Sequence, residues 1–151
     1  LIEFNQTNKQ EMVAELKEII IENDSTYSPL ALYYLIDNSL IKSKDEVNKL
    51  FDFIIEKIKL EKEIKNLIIY KKAMYNADIA TENELLEILN PILKSESIWK
   101  SHALLLMADY FDHNNNLIKS KDFLEEIVNS ELVNNEIRVE AERRLKRNYG
   151  G

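Results

Sequence analysis

Four apolar stripes of one shape recur along this chain, and their spacing limits what it can fold into. The first is Met12, Val13, Leu16, Ile19 and Ile20, and the second Val47, Leu50, Phe51, Ile54 and Ile55. Leu85, Ile88, Leu89, Ile92 and Leu93 repeat it, and Phe123, Leu124, Ile127 and Val128 close the series. Apolar residues three and four apart share one face of an α-helix. Leu16, Phe51, Leu89 and Leu124 stand 35, 38 and 35 residues apart. Eight positions before each lies Asn8, Ser43, Thr81 or Asn116, whose side-chain oxygen suits a helix N-cap. A second register runs between them. Ala31, Ile68, Ala103 and Ala141 are 37, 35 and 38 residues apart, each four residues after a bulky Tyr27, Ile64, Trp99 or Ile137. A small residue one turn after a large one lets two helices approach closely. Two helices per period of this length mark a helical solenoid.

The expected class is therefore all-α, in one domain over 1–151. Helices are predicted over 9–22, 28–41, 44–59, 62–77, 82–94, 98–112 and 117–129, with a capping helix at 135–148. The corresponding units are a partial one at 1–22, then 27–59, 62–94 and 98–129. Residues 1–5 read as the end of another helix. Pro29 suits a first helical turn, whereas Pro91 should bend or shorten its helix. The link Glu22-Asn23-Asp24-Ser25-Thr26 is short and polar.

Composition removes several function classes. The only glycines are Gly150 and Gly151, so phosphate loops, dinucleotide folds and nucleophile elbows lack the residue that their turns require. Cysteine is absent, which removes disulfides and thiol chemistry. The net charge of −7 argues against nucleic acid and anionic membrane surfaces as partners. No run approaches the roughly 18 apolar residues of a membrane span. Because the first residue is Leu1 and not methionine, the chain is expected to begin upstream, where there is room for a signal or anchor.

The units resemble tetratricopeptide repeats. Ile98-Trp99-Lys100-Ser101-His102-Ala103 matches the opening of a first repeat helix, and Asp112-His113-Asn114-Asn115-Asn116 falls at the turn. Phe123-Leu124 and Ile127-Val128 then supply the second helix's core face. Ile68 replaces the usual small residue, and no turn carries the usual glycine. The resemblance implies a right-handed superhelical stack of antiparallel helix pairs. From Tyr27 to Arg147 the chain is similar to the YfgM-type family, ancillary subunits of the SecYEG translocon, chiefly through Leu89-Asn90-Pro91-Ile92-Leu93, then Ile98-Trp99 and Ala103. That likeness implies a bacterial inner-membrane anchor, a periplasm-facing domain, and protein partners among translocon subunits, periplasmic chaperones and nascent chains. It implies no catalysis and no cofactor.

In such repeats the first helices line a concave groove. Carried over from the small position, the groove residues are Ser28, Leu32 and Leu35; Lys65, Ile69 and Lys72; and Lys100, Leu104 and Met107. Lys65 is followed by Ile69 and Lys100 by Leu104, where a carboxylate clamp has asparagine. This favours an apolar groove with a cationic rim. The alternative is that Leu32, Ile69 and Leu104 pack against neighbouring helices or a docked terminal helix.

Other constellations read more simply. Asp109, Asp112 and His113 could begin a metal site, but zinc needs three or four ligands, and a solvated helix end fits them better. Glu11 with Glu15, Glu84 with Glu87, and Glu125 with Glu126 pair carboxylates on faces expected to meet water, whereas acid–base work needs one of a pair desolvated in a cleft. Tyr33, Tyr34, Tyr70, Tyr75, Tyr110 and Phe111 suit inter-helix packing or an interface. Arg138, Arg143, Arg144 and Arg147 all lie in the last helix, as a polar cap or as a patch for an acidic partner. The sequence thus reads as a protein-interaction scaffold, open to forming a homo-oligomer, with a self-associating structural protein whose groove is filled by its own terminus or a second copy, or a cytosolic adaptor, as rivals.

Overall fold

The computed structural model describes residues 2–150, with side chains from residue 6 onward. These residues are all-helical: α1 (Ile2–Ile21), α2 (Tyr27–Asp37), α3 (Lys44–Lys57), α4 (Lys62–Asn76), α5 (Glu82–Leu93), α6 (Lys100–His113), α7 (Leu117–Asn129) and α8 (Asn135–Tyr149).

Three of the four expected caps form. Ser43 Oγ accepts from the Glu46 N–H at 3.2 Å, and Asn116 Oδ1 from the Lys119 N–H at 3.2 Å. Thr81 Oγ1 accepts from the Glu84 N–H, while the Glu84 carboxylate accepts from the Thr81 N–H at 3.0 Å, a reciprocal capping box. Asn134 caps α8 in the same way through the Ile137 N–H. Asn8 does not cap. It lies inside α1, which begins at Ile2 rather than near residue 9, so residues 2–5 belong to that helix and not to a separate one; Leu1 lies outside the described residues. No proline or glycine interrupts this stretch, and extending a helix is easier than nucleating a new one.

The turns solve the missing-glycine problem with polar residues. Asn23, Ser39 and Asn115 take left-handed φ values of 70°, 52° and 59°. Beyond Ser39 and Asn115 the chain closes back onto its helix, with Leu40 N–H donating to Leu35 O at 2.9 Å and Asn116 N–H to Phe111 O at 2.8 Å. Glycine usually holds that position, and asparagine is the next choice. This closure ends α2 at Asp37, short of the expected 41. α5 continues through Pro91 to Leu93, and Ser95 Oγ donates to the Pro91 carbonyl at 2.8 Å.

Two compact units are present, Leu1–Glu61 and Lys62–Gly151. In the first, α1 packs on α2 and α3, and α2 on α3. In the second each helix packs on the next, and α6 also meets α4 and α8. Within each unit, links this short make successive helices antiparallel. Ile20, Leu32, Leu35, Phe51 and Ile54 are fully buried in the first unit. In the second, Leu104, Ala108, Leu124, Ile127, Ile137 and Ala141 form one apolar cluster. The small register behaves as packing, since Ala31, Ile68, Ala103 and Ala141 are all buried. Its bulky partners diverge: Ile137 is buried, Trp99 half-buried, and Tyr27 and Ile64 exposed. Buried serines fasten the helix pairs. Ser28 Oγ donates to Ile20 O at 2.9 Å, and Ser120 Oγ to Ala108 O at 3.0 Å. Among the described residues no helix is long and apolar enough to cross a membrane.

Candidate functional site

The expected groove residues are mostly core. Leu32, Leu35, Leu104 and Met107 are at most 1% exposed, and Ile69 is 5% exposed. Ser28 is buried with its hydroxyl committed to α1, Lys65 is exposed, and Lys72 and Lys100 are half-buried. The reason is helical register. Ser28, Ala31, Leu32 and Leu35 are three and four apart, so the positions transferred from the small residue fall on the face that the small residue buries. An open apolar groove with a lysine rim is therefore not formed by these side chains.

The remaining candidates serve packing and solvation. Trp99, Tyr70 and His102 form a three-ring cluster, with the Trp99 ring centroid 6.3 Å from Tyr70 and 4.9 Å from His102, and Trp99 Nε1 donates to Glu63 O at 3.0 Å. Burial lowers the pKa of His102 and raises that of Tyr70, the latter with help from Asp109. Tyr110 donates its hydroxyl to Ala80 O at 2.8 Å, and Phe111 stacks on Phe123. Tyr33 and Tyr75 are half-buried, and burial pushes the Tyr33 phenol up to about 12. Arg144 pairs with Asp109 and Glu140, Arg143 with Glu140, and Arg138 donates to Ser130 O. Asp109 is thus an ion-pair partner, and Asp112 and His113 are exposed. Among the described residues no three ligating side chains gather around a point. Glu84 is spent on its cap, Glu125 faces Lys121, and Glu11, Glu15, Glu87 and Glu126 meet water.

A groove does open elsewhere, between α1 and α2 in the first unit, with a volume of about 450 Å³. Leu16 and Ile19 form one wall, and Leu30, Ala31 and Tyr34 the other. Tyr27 closes the end nearest the link, beside Glu22 and Asp24. Leu30 is 54% exposed, Tyr34 47% and Tyr27 64%, spaced three and four residues apart on one face of α2. These three large side chains form an open apolar face beside the groove. Asp24 fixes the link: its Oδ1 accepts from the Thr26 and Tyr27 N–H groups at 2.8 and 2.7 Å, which lowers its pKa. Thr26 itself makes no side-chain cap.

Sequence reasoning missed Leu30 altogether. The available signal was α2 itself, where Tyr27, Leu30 and Tyr34 add a second apolar face to the one carrying Ala31, Leu32 and Leu35. A helix apolar on more than one side needs more than one partner. Comparison with protein-family models, with curated proteins and with solved structures finds no match to this chain.

Proposed function

We propose that the chain is a protein–protein interaction scaffold. In this reading its helix pairs are tetratricopeptide-like repeats stacked in a right-handed superhelix. The scaffold is held at the bacterial inner membrane by a segment outside this sequence and faces the periplasm. There it assists translocon-associated chaperones or emerging proteins. The observation that carries the scaffold reading is the exposed Tyr27–Leu30–Tyr34 face, three large side chains at helical spacing over the α1–α2 groove. The recurring caps at Ser43, Thr81 and Asn116, and the packing of α6 on both α4 and α8, support the repeat reading. The secretion role rests on the sequence resemblance alone.

Affinity purification of the natural full-length protein from detergent-solubilised membranes, read by mass spectrometry, tests it. The expected result is co-purification of translocon subunits or periplasmic chaperones in near-stoichiometric amounts. Recovery from the cytosolic fraction with no partner above a mock purification overturns it.

A further inference from the structure

Beside the α1–α2 groove runs a row of four carboxylates. Glu11, Glu15, Glu18 and Glu22 are spaced four, three and four residues apart, so they share one side of α1. All four are exposed, and among the described residues none takes part in an ion pair. On the helix this row borders the Ile19 edge of the groove, and Glu22 lines the groove itself. Asp24 adds a charge at the link, and Asp37 lies one turn beyond Tyr34 and two beyond Leu30 on α2. Between residues 11 and 37 there are six carboxylates and one cation, Lys17. Lys17 points elsewhere, paired with Glu46 of α3. The groove thus has an apolar floor and an uncompensated negative rim.

We propose that the groove docks an amphipathic helix whose apolar stripe is flanked by lysines or arginines. This rests on the scaffold reading and narrows it to the partner's chemistry. A trough between two helices takes a third helix, whose apolar anchors at i, i+3 or i+4, and i+7 would sit against Tyr27, Leu30 and Tyr34. Like charge at the rim repels acidic segments, so electrostatics selects the partner while the apolar floor holds it.

The test uses a fluorescent 14-residue peptide of leucines at helical spacing with lysine elsewhere, and the same peptide with glutamate in place of lysine. Anisotropy is measured against the wild-type chain and three variants whose helicity is checked by circular dichroism. The lysine peptide should bind and the glutamate peptide should not. Glu15→Lys/Glu18→Lys should weaken binding by about tenfold or more, and so should Leu30→Asp, whereas Glu136→Lys/Glu142→Lys on α8 should change it less than about twofold. Equal weakening by both charge reversals reduces the effect to bulk charge and overturns the proposal, as does a Leu30→Asp chain that binds normally. A stable dimer by sedimentation that Leu30→Asp dissociates overturns it in favour of a second copy. Co-purified partners with no such peptide selectivity would leave the scaffold standing on another face.

Discussion

Leu104 gives the sharpest contrast between an open groove and a packed core. It is 1% exposed, in a cluster with Ala108, Leu124, Ile127, Ile137 and Ala141 contributed by α6, α7 and α8. Leu104→Ala removes roughly three methylene equivalents at about 0.8 kcal/mol each. The surrounding helices are tied by Ser120 to the Ala108 carbonyl and by the Asn134 N–H to Ser101, and cannot close fully over the void. The cavity adds on the order of 1 kcal/mol, for a total loss of about 3–4 kcal/mol. That is a large share of the roughly 5–15 kcal/mol that holds a domain together. Trp99 is the only tryptophan and lies in the same unit, so its fluorescence during urea unfolding reports on this core. At a slope of about 1.5 kcal/mol per M the midpoint should fall by about 2 M. Ile118→Ala, at a side chain 78% exposed on α7, should move it by less than about 0.5 M. A Leu104→Ala chain that unfolds with Ile118→Ala would refute the packing described here.

Further expectations follow from the caps, turns and titrating groups. Thr81→Ala breaks the capping box and should cost about 1 kcal/mol, again read from Trp99 in urea. Ser39→Gly relieves a left-handed serine and should stabilise by about 0.5–1 kcal/mol in thermal melts, whereas a loss of stability would mean that the turn is not strained. Glu140 accepts from Arg143 and then Arg144, each at 2.7 Å, which holds its carboxyl down to about 2. Its contribution to stability is present above the ordinary value near 4.5 and lost as pH falls toward 2. Carbon-detected titration should find that midpoint, and Arg143→Gln should raise it. Tyr33 has the opposite sign. Its neutral form is favoured by burial, so stability should fall as pH rises from 10 toward about 12, and its phenolate should appear last in an ultraviolet titration.

The helices were legible in the sequence because their signals are local. Ser43, Thr81 and Asn116 cap where their spacing to the apolar stripes says they should. Asn8 looked the same in sequence and is helix interior, because a cap residue competes with simple propagation when nothing upstream stops the helix. The site was less legible. Position relative to a small residue identifies a helix face, but not which of two apolar faces is left uncovered. On α2, Leu32 and Leu35 are covered while Leu30 and Tyr34 are not, and that choice is made by α1 and α3 packing against it. The left-handed turns at Asn23, Ser39 and Asn115 also explain how a helical chain manages without internal glycine: a short polar side chain tolerates the conformation at modest cost.

The most direct test of recognition through the α1–α2 face is site-specific photo-crosslinking in the native cell. One chain carries the crosslinker in place of Tyr34, another in place of Ile118 as an exposed control, and a third in place of Leu104. A discrete band with a different protein is expected from Tyr34 alone, and none from Ile118 or Leu104. Equal partner capture from Leu104, or capture from Ile118 but not Tyr34, would place recognition elsewhere and contradict it.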